Sequence, residues 1–274
     1  MQSSAPKLSL AKQKTEEFNR IQKLVYKHTA IVIADDKQDF VRARISKRMR
    51  TLNIQTLGEY CDRVESGRES LTQFTNQVTT NHTHFFRENH HFDTLVKHLA
   101  EIGPENRTIW SSACSSGEEP YSIAISLAEY FEDIFSSDIR IIASDIDQTI
   151  IDKAAQAIYS EDKIESLDRT RKKFAFVKGK GELAGKVRVK KPLRDLIEYK
   201  RLNLVEPFDF NSRIDIIFCR NVVIYFDKST KIDLFNRFSE LQEPGDLLFV
   251  GHSESLNELC DSYTCLGGTT YQRK

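Results

Sequence analysis

One stretch, Trp110 to Ser122, reads WSSACSSGEEPYS and constrains the fold more than any other. The apolar run Thr108-Ile109-Trp110 gives way to small residues, Ser111 to Gly117, and then to Glu118, Glu119 and Pro120. Behind these, Ile123, Leu127 and Phe131 recur at helical spacing. Small residues let a backbone approach a ligand, and Gly117 can take a positive φ. Two acids and a proline suit the first turn of a helix. The expectation is a strand, a tight loop and a helix start, which is where open α/β sheets hold nucleotide-like cofactors.

The acids also select among such cofactors. A phosphate needs bare N–H groups at the helix start, whereas Glu118 favours a cation. S-adenosylmethionine carries an ammonium and a sulfonium and no phosphate, so it fits. The next apolar run, DIRIIASDID over 138–147, ends in acids. Asp145 stands where an acid at the end of the second strand accepts from ribose hydroxyls. The alternative is that Asp145 only caps a helix over 148–157.

At 274 residues the chain has room for a large domain and a small one, and 39% hydrophobic residues suffice for a core. Residues 1–80 hold 14 Lys/Arg against 9 Asp/Glu, a surplus of +5, and the remainder balances it at −5. A basic front half suggests an acidic partner. No apolar run approaches a membrane span, and the first residues lack the apolar core of a signal peptide. The five cysteines are odd in number and form no CxxC pair; a reducing cytoplasm is the simplest setting.

Residues 12–65 read as short helices, and Ser66 to Ser70 as the break before a connecting helix. Within them Val41, Ile45, Met49 and Leu52 form one helical stripe, flanked by Arg42, Arg44, Lys47, Arg48 and Arg50. These five cations are either a solvated face or a docking surface for an acidic helix or nucleic acid. Beyond them, strands near 108–113, 139–144, 196–202, 214–219 and 247–251 alternate with helices at 118–134, 148–157 and 229–241. That alternation implies a mostly parallel sheet. Residues 171–192, punctuated by glycines, read as an inserted β-hairpin subdomain.

The chain resembles the CheR family of chemotaxis-receptor methyltransferases along nearly its whole length. The segments that carry the resemblance are TTNHTHFFRENHHF (79–92), WSSACSSGEEPYSIAI (110–125), ASDID (143–147), FVKGKGELAGKVRV (176–189), NL (203–204), CRNVVIYFD (219–227) and GHSES (251–255). The resemblance implies an α/β chain with a small all-helical N-terminal domain, 1–66, for receptor docking. A linker helix over 67–80 then leads to a doubly wound, Rossmann-like class I methyltransferase domain, 81–274, with the β-insertion. It implies S-adenosylmethionine as cofactor and S-adenosylhomocysteine as product. Glutamate side chains of methyl-accepting chemotaxis receptors would be the substrate, and the enzyme a monomer that reaches the membrane only through the receptor and binds no nucleic acid.

Residue by residue, it gives Glu118 to the cofactor's amino group, Asp145 to the ribose, and Asn203 and Leu204 to the adenine. Asn81, Thr83 and Arg87 fall in a segment that closes over the methionine end. Arg87 is the candidate to hold the substrate carboxylate, and Arg220 and Asn221 end the fourth main strand on the ligand side. Tyr225 matches the active-site tyrosine beside the methyl-bearing sulfur. Gly179, Gly181, Gly185 and Arg188 match members that bind a pentapeptide at the receptor C-terminus. Arg87 could instead pair with Glu88 or Asp93 on the surface, and Tyr225 could pack with Phe226.

The chemistry agrees with an absence. A glutamate is ionised at pH 7, so its carboxylate attacks a sulfonium methyl without a general base, and no catalytic triad stands out. Two other readings remain, an RNA methyltransferase and a non-catalytic receptor-binding adaptor. His82, His84, His90 and His91 lack the spacing of a helical zinc site, so no metal is expected. GHSES lacks the closing glycine of a nucleophile elbow, and KGELAGKV fails the phosphate-loop pattern.

Overall fold

The structure, a computed structural model, describes residues 5–79, 82–210 and 212–274. It divides into two compact units, one of Met1–Thr80 with Tyr225–Thr230, the other of Asn81–Ile224 with Lys231–Lys274. The first is all-helical: α1 (Ala5–Thr29), α2 (Gln38–Thr51), α3 (Leu57–Glu65) and α4 (Leu71–Thr75). Phe18, Ile21 and Val25 of α1 pack with Val41, Ile45 and Met49 of α2 and with Tyr60 and Val64 of α3. Thr56 caps α3 by accepting from the Glu59 N–H at 3.2 Å. The stretch 67–80 was expected to be a linker helix. It holds only the short α4, and Phe74 is fully buried in this helical core. Two apolar anchors, Phe74 and Val78, draw the segment into that core.

The second unit is built on a seven-stranded sheet. Its strands are β1 (Thr108–Ser111), β2 (Arg140–Asp145), β6 (Ile197–Arg201), β7 (Ile216–Cys219), β8 (Leu247–Val250), β9 (Tyr263–Gly267) and β10 (Thr270–Arg273), in the order β6-β2-β1-β7-β8-β10-β9. From β6 to β8 the pairs are parallel; β10 and β9 add an antiparallel edge. In β1, β7 and β8 every residue is buried, which is why they read as unbroken apolar runs. Around the sheet lie α5 (His90–Ile102), α6 (Glu118–Tyr130), α7 (Gln148–Gln156), α9 (Lys191–Asp195) and most of α10 (Lys228–Leu241). Phe92, Leu95, Leu99, Tyr121 and Ile125 cover one face. Trp110 meets Phe208, Phe210 and Phe238 and donates from its indole N–H to Ser144 Oγ at 2.9 Å. Removing a buried ring of this kind costs about 3–5 kcal/mol.

Strand order reverses between β1 and β7, so the ends of β1, β2 and β7 open on one crevice, the ligand side of such sheets. Helix α6 was expected to run to residue 134; it stops at Tyr130, and Phe131 is extended. The expected hairpin over 171–192 is part of a three-stranded antiparallel sheet, β3-β5-β4, of β3 (Ile158–Ser160), β4 (Phe176–Lys178) and β5 (Lys186–Val189). Helix α8 (Arg169–Ala175) precedes β4. The third strand lies outside the expected range because Ile158-Tyr159-Ser160 is too short to show a period.

Candidate active site

The loop after β1 is pinned to both neighbouring strands. Ser112 donates its N–H to the Phe218 carbonyl at 2.9 Å, and Cys114 donates to the Ser144 carbonyl at 2.8 Å. Ser115 then takes a left-handed φ of 49° and donates its N–H to Asp145 Oδ2 at 2.9 Å. Gly117 sits at φ 95°, where a Cβ would lie 2.9 Å from both Ala154 Cβ and Tyr159 Oη. Any side chain there is excluded by backbone and by space. The Tyr159 hydroxyl, from β3, closes the loop by donating to the Ser116 carbonyl at 2.7 Å.

Glu118 opens α6 with its side chain 1% exposed. The Ser116 hydroxyl donates to Oε2, whereas Oε1 has no hydrogen-bond partner and lies 3.5 Å from Lys163 Nζ. A buried carboxylate oxygen without a donor is costly, and an ammonium group would satisfy it. Asp145 ends β2. Its Oδ1 accepts from the Asp147 N–H at 3.0 Å, and burial pushes its carboxyl up to about 6, against the pull of those two N–H donors. Asp145 does not cap α7: Asp147 does, accepting from Thr149 at 2.8 Å and Ile150 at 3.2 Å. Asn203 and Leu204 follow β6, where Leu202 donates its N–H to the Asp145 carbonyl. The Asn203 amide donates to Glu206 at 3.0 Å, and the Leu204 carbonyl accepts from Arg237 at 2.6 Å.

The segment before α5 is held in an uncommon backbone. Phe86 and Glu88 both have left-handed φ, 55° and 54°, conformations that persist only when the surroundings enforce them. Here the Phe86 N–H donates to Ser122 Oγ at 2.9 Å, and Arg220 donates to the Arg87 carbonyl. Arg220 is at the end of β7, 1% exposed, with Glu119 Oε2 at 3.0 Å and Glu88 Oε2 at 3.4 Å. Its two terminal nitrogens thus hold α6 and the Arg87 segment, while its Nε is buried without a hydrogen-bond partner. Arg87 itself is half-buried and donates to the His82 carbonyl at 3.2 Å. It makes no ion pair with Glu88 or Asp93 among the described residues. The Thr83 carbonyl accepts from Lys163 at 3.4 Å; Asn81 lies outside the described residues. His91 is buried against Gly268 and Thr269, and burial pushes its ring down to about 4.

Asn221 has φ 59° and donates its N–H to Glu254 Oε2 at 2.8 Å. Glu254 also accepts from the N–H groups of Val222, Ile224 and Gly251. At Gly251 a Cβ would lie 2.4 Å from Asn221 Nδ2. GHSES carries part of the family resemblance and fails as a nucleophile elbow, but neither reading gives Glu254 a role; an acid among small residues just after an apolar strand was the available signal. Tyr225 ends the short turn Val223–Tyr225 and groups with the helical unit, where its carbonyl accepts from Val32 at 2.8 Å.

On α2, three of the five cations are engaged by their own unit, and Lys47 and Arg50 make no side-chain hydrogen bond, ion pair or ring contact among the described residues. Arg44 donates to the Asn76 and Thr79 carbonyls, Arg48 pairs with the buried Glu69 at 2.8 Å, and Arg42 stacks 3.7 Å over the Phe18 ring. Lys47 and Arg50 are exposed. In the insertion, a Cβ at Gly179 would lie 2.0 Å from the Leu183 carbonyl, and Gly181 and Gly185 have φ of 60° and 77°. These glycines are what the β4–β5 turn needs. Arg188 is exposed on β5 and donates to the Gln156 carbonyl at 3.1 Å.

The sequence profile described as CheR methyltransferase, SAM binding domain, matches residues 81–272, and that described as CheR methyltransferase, all-alpha domain, matches residues 16–79. The chain is 40% identical to a chemotaxis protein methyltransferase of Salmonella typhimurium, over 93% of this chain and 88% of that one. It is 39% identical to one of Escherichia coli, over 99% and 98%. It is 40% identical to chemotaxis protein methyltransferase 2 of Pseudomonas aeruginosa, over 93% and 92%. The chain belongs to the CheR methyltransferase family and is S-adenosylmethionine-dependent.

Accepting from ribose hydroxyls, the role the resemblance implies for Asp145, would give cofactor affinity a pH dependence. Ribose hydroxyls donate best to the ionised form, so binding favours loss of the proton. Affinity is therefore full above the free-state value near 6 and falls as pH drops through it. Calorimetry should record up to about a tenfold loss from pH 7 to pH 5, abolished in Asp145→Asn. A flat wild-type profile would take Asp145 away from the ribose.

Proposed function

We propose that this enzyme transfers the methyl group of S-adenosylmethionine to the γ-carboxylate of glutamates on bacterial chemoreceptors, giving methyl esters and S-adenosylhomocysteine. The relatives are named chemotaxis protein methyltransferases and span nearly the whole chain. The observation that carries the cofactor half of the reading is the buried Glu118 carboxylate, whose Oε1 accepts no hydrogen bond and faces only the part-exposed Lys163. Bound there, the cofactor supplies an electrophilic methyl on a sulfonium. Glu118 holds the ammonium, Asp145 the ribose hydroxyls, and Asn203 and Leu204 the adenine; Asn81 and Thr83 belong to the segment over the methionine end. Arg87 orients the acceptor carboxylate by charge-assisted hydrogen bonds, its segment held by Arg220 through the Arg87 carbonyl, while Asn221 lies on the loop that Glu254 holds. Tyr225 packs its ring beside the sulfur.

Receptor docking falls to α2, through Lys47 and Arg50. Reversing Arg44 or Arg48 would instead disturb the helical unit: Arg48→Glu would set a second carboxylate against the buried Glu69, and Arg44→Glu would strip the donors from the Asn76 and Thr79 carbonyls. An RNA-binding reading loses ground for the same reason, because three of the five cations are used internally. A tether is a further part of the proposal. Strand β4 is an edge of its sheet, to which an extended receptor C-terminal pentapeptide can add as a strand, with Arg188 on the outer face for an acidic group. The tether raises the enzyme's local concentration near its substrate. No helix among the described residues is long and apolar enough to cross a membrane.

Labelled cofactor incubated with receptor-bearing membranes should give methyl groups that alkali releases. Arg87→Ala should lower turnover at least about a hundredfold while cofactor affinity changes much less, and Tyr225→Phe should be milder than Tyr225→Ala. Label stable to alkali would overturn the ester. Reversing Lys47 and Arg50 to Glu should impair receptor methylation at low salt with melting and cofactor affinity intact; unchanged methylation would make them solvent contacts only. Titration with the pentapeptide should shift backbone resonances of β4 and β5 at micromolar to millimolar peptide, and silence there would remove the tether.

A further inference from the structure

Lys163 stands on the short helical turn Glu161–Ile164, directly after β3. The turn is held firmly: Glu161 donates its N–H to the Gly185 carbonyl at 3.0 Å, and Ile164 is 5% exposed. From it, the Lys163 ammonium reaches to 3.5 Å from Glu118 Oε1 and donates to the Thr83 carbonyl at 3.4 Å. The lysine side chain is 44% exposed, whereas the carboxylate it faces is 1% exposed. A cation open to solvent thus stands over a buried anion whose facing oxygen accepts no hydrogen bond.

The methionine end of the cofactor carries an ammonium and a carboxylate on one carbon. Laid antiparallel over the Glu118–Lys163 pair, each charge would meet its opposite. Arg220, also in this region, is already surrounded by Glu119, Glu88 and the Arg87 carbonyl. We propose that Lys163 binds the α-carboxylate of S-adenosylmethionine while Glu118 binds its ammonium. Lys163 is then a specificity residue: it selects the intact amino-acid end and, through the Thr83 carbonyl, draws the segment before α5 toward it. The proposal rests on the reading of Glu118 given above.

The test compares S-adenosylmethionine with its decarboxylated form, which keeps the ammonium and lacks only the carboxylate. Calorimetry on the full chain measures both against wild type, Lys163→Met and Lys163→Arg, with unliganded melting temperatures as a folding check. Lys163→Met should weaken S-adenosylmethionine roughly three- to thirtyfold and leave the decarboxylated ligand within about twofold; Lys163→Arg should recover most of the loss. Tighter binding of both ligands by Lys163→Met would make Lys163 a counter-ion that the cofactor displaces, and overturn the proposal. Equal weakening of both, or no change in either, would overturn it too. Glu118→Gln is read separately: if it leaves both ligands unaffected, the Glu118 reading fails whatever Lys163 does.

Discussion

The Arg220 guanidinium is the contact on which the site depends. It is buried at the end of β7, and its partners come from two other elements: Glu119 from α6, Glu88 and the Arg87 carbonyl from the segment before α5. A buried charge is tolerated only when it is paired and hydrogen-bonded, so these elements cannot drift apart cheaply. Its effect on the carboxylates differs. Burial pushes Glu119 up despite Arg220. Burial also pushes Glu88 up, but Arg220 and the His252 N–H overcome it and leave Glu88 below the usual carboxylate range. The left-handed Phe86 and Glu88 are what this clamp holds in place. Glu254 does for the loop after β7 what Arg220 does for the segment before α5, with four backbone N–H groups gathered on one carboxylate.

How much of this was legible in the sequence depends on the range of the interaction. The buried parallel strands announce themselves as apolar runs, and the α6 start is written in Gly117, Glu118, Glu119 and Pro120. Asp145 was legible as an acid at a strand end, though its neighbour Asp147 turned out to hold the cap. The clamp was not legible, because Arg220 and Glu119 are 101 residues apart and neither stands out locally. Strands β9 and β10 were missed for another reason: β9 is an exposed edge strand, β10 beside it is short and half polar, and a bulge interrupts their pairing next to Gly267 and Gly268. The short β3 has too few residues for a period.

The basic stripe of α2 shows where charge patterning misleads. Five cations in a row read as a single surface, yet a long arginine side chain reaches back along the helix to satisfy carbonyls, a buried carboxylate or a ring face. Arg42, Arg44 and Arg48 each do this in a different way. The sequence marks the stripe; only packing separates the cations that build the unit from Lys47 and Arg50, which are available to a partner.

The electrostatics of the site also explain why the proposed transfer needs so little machinery. A sulfonium and a carboxylate become a thioether and an ester, so one positive and one negative charge disappear. A reaction that cancels charge is favoured where water is scarce, because the separated charges lose more from desolvation than the neutral products do. The acids around the cofactor position are compatible with this only if they do not compete for the sulfonium. Glu119 is turned toward Ser111 and Arg220, and Glu254 toward the backbone of its own loop. In the proposed reading, Glu118 and Asp145 are the acids left for the cofactor. The structural carboxylates are kept occupied, so that the methyl group would meet the one carboxylate that arrives from outside.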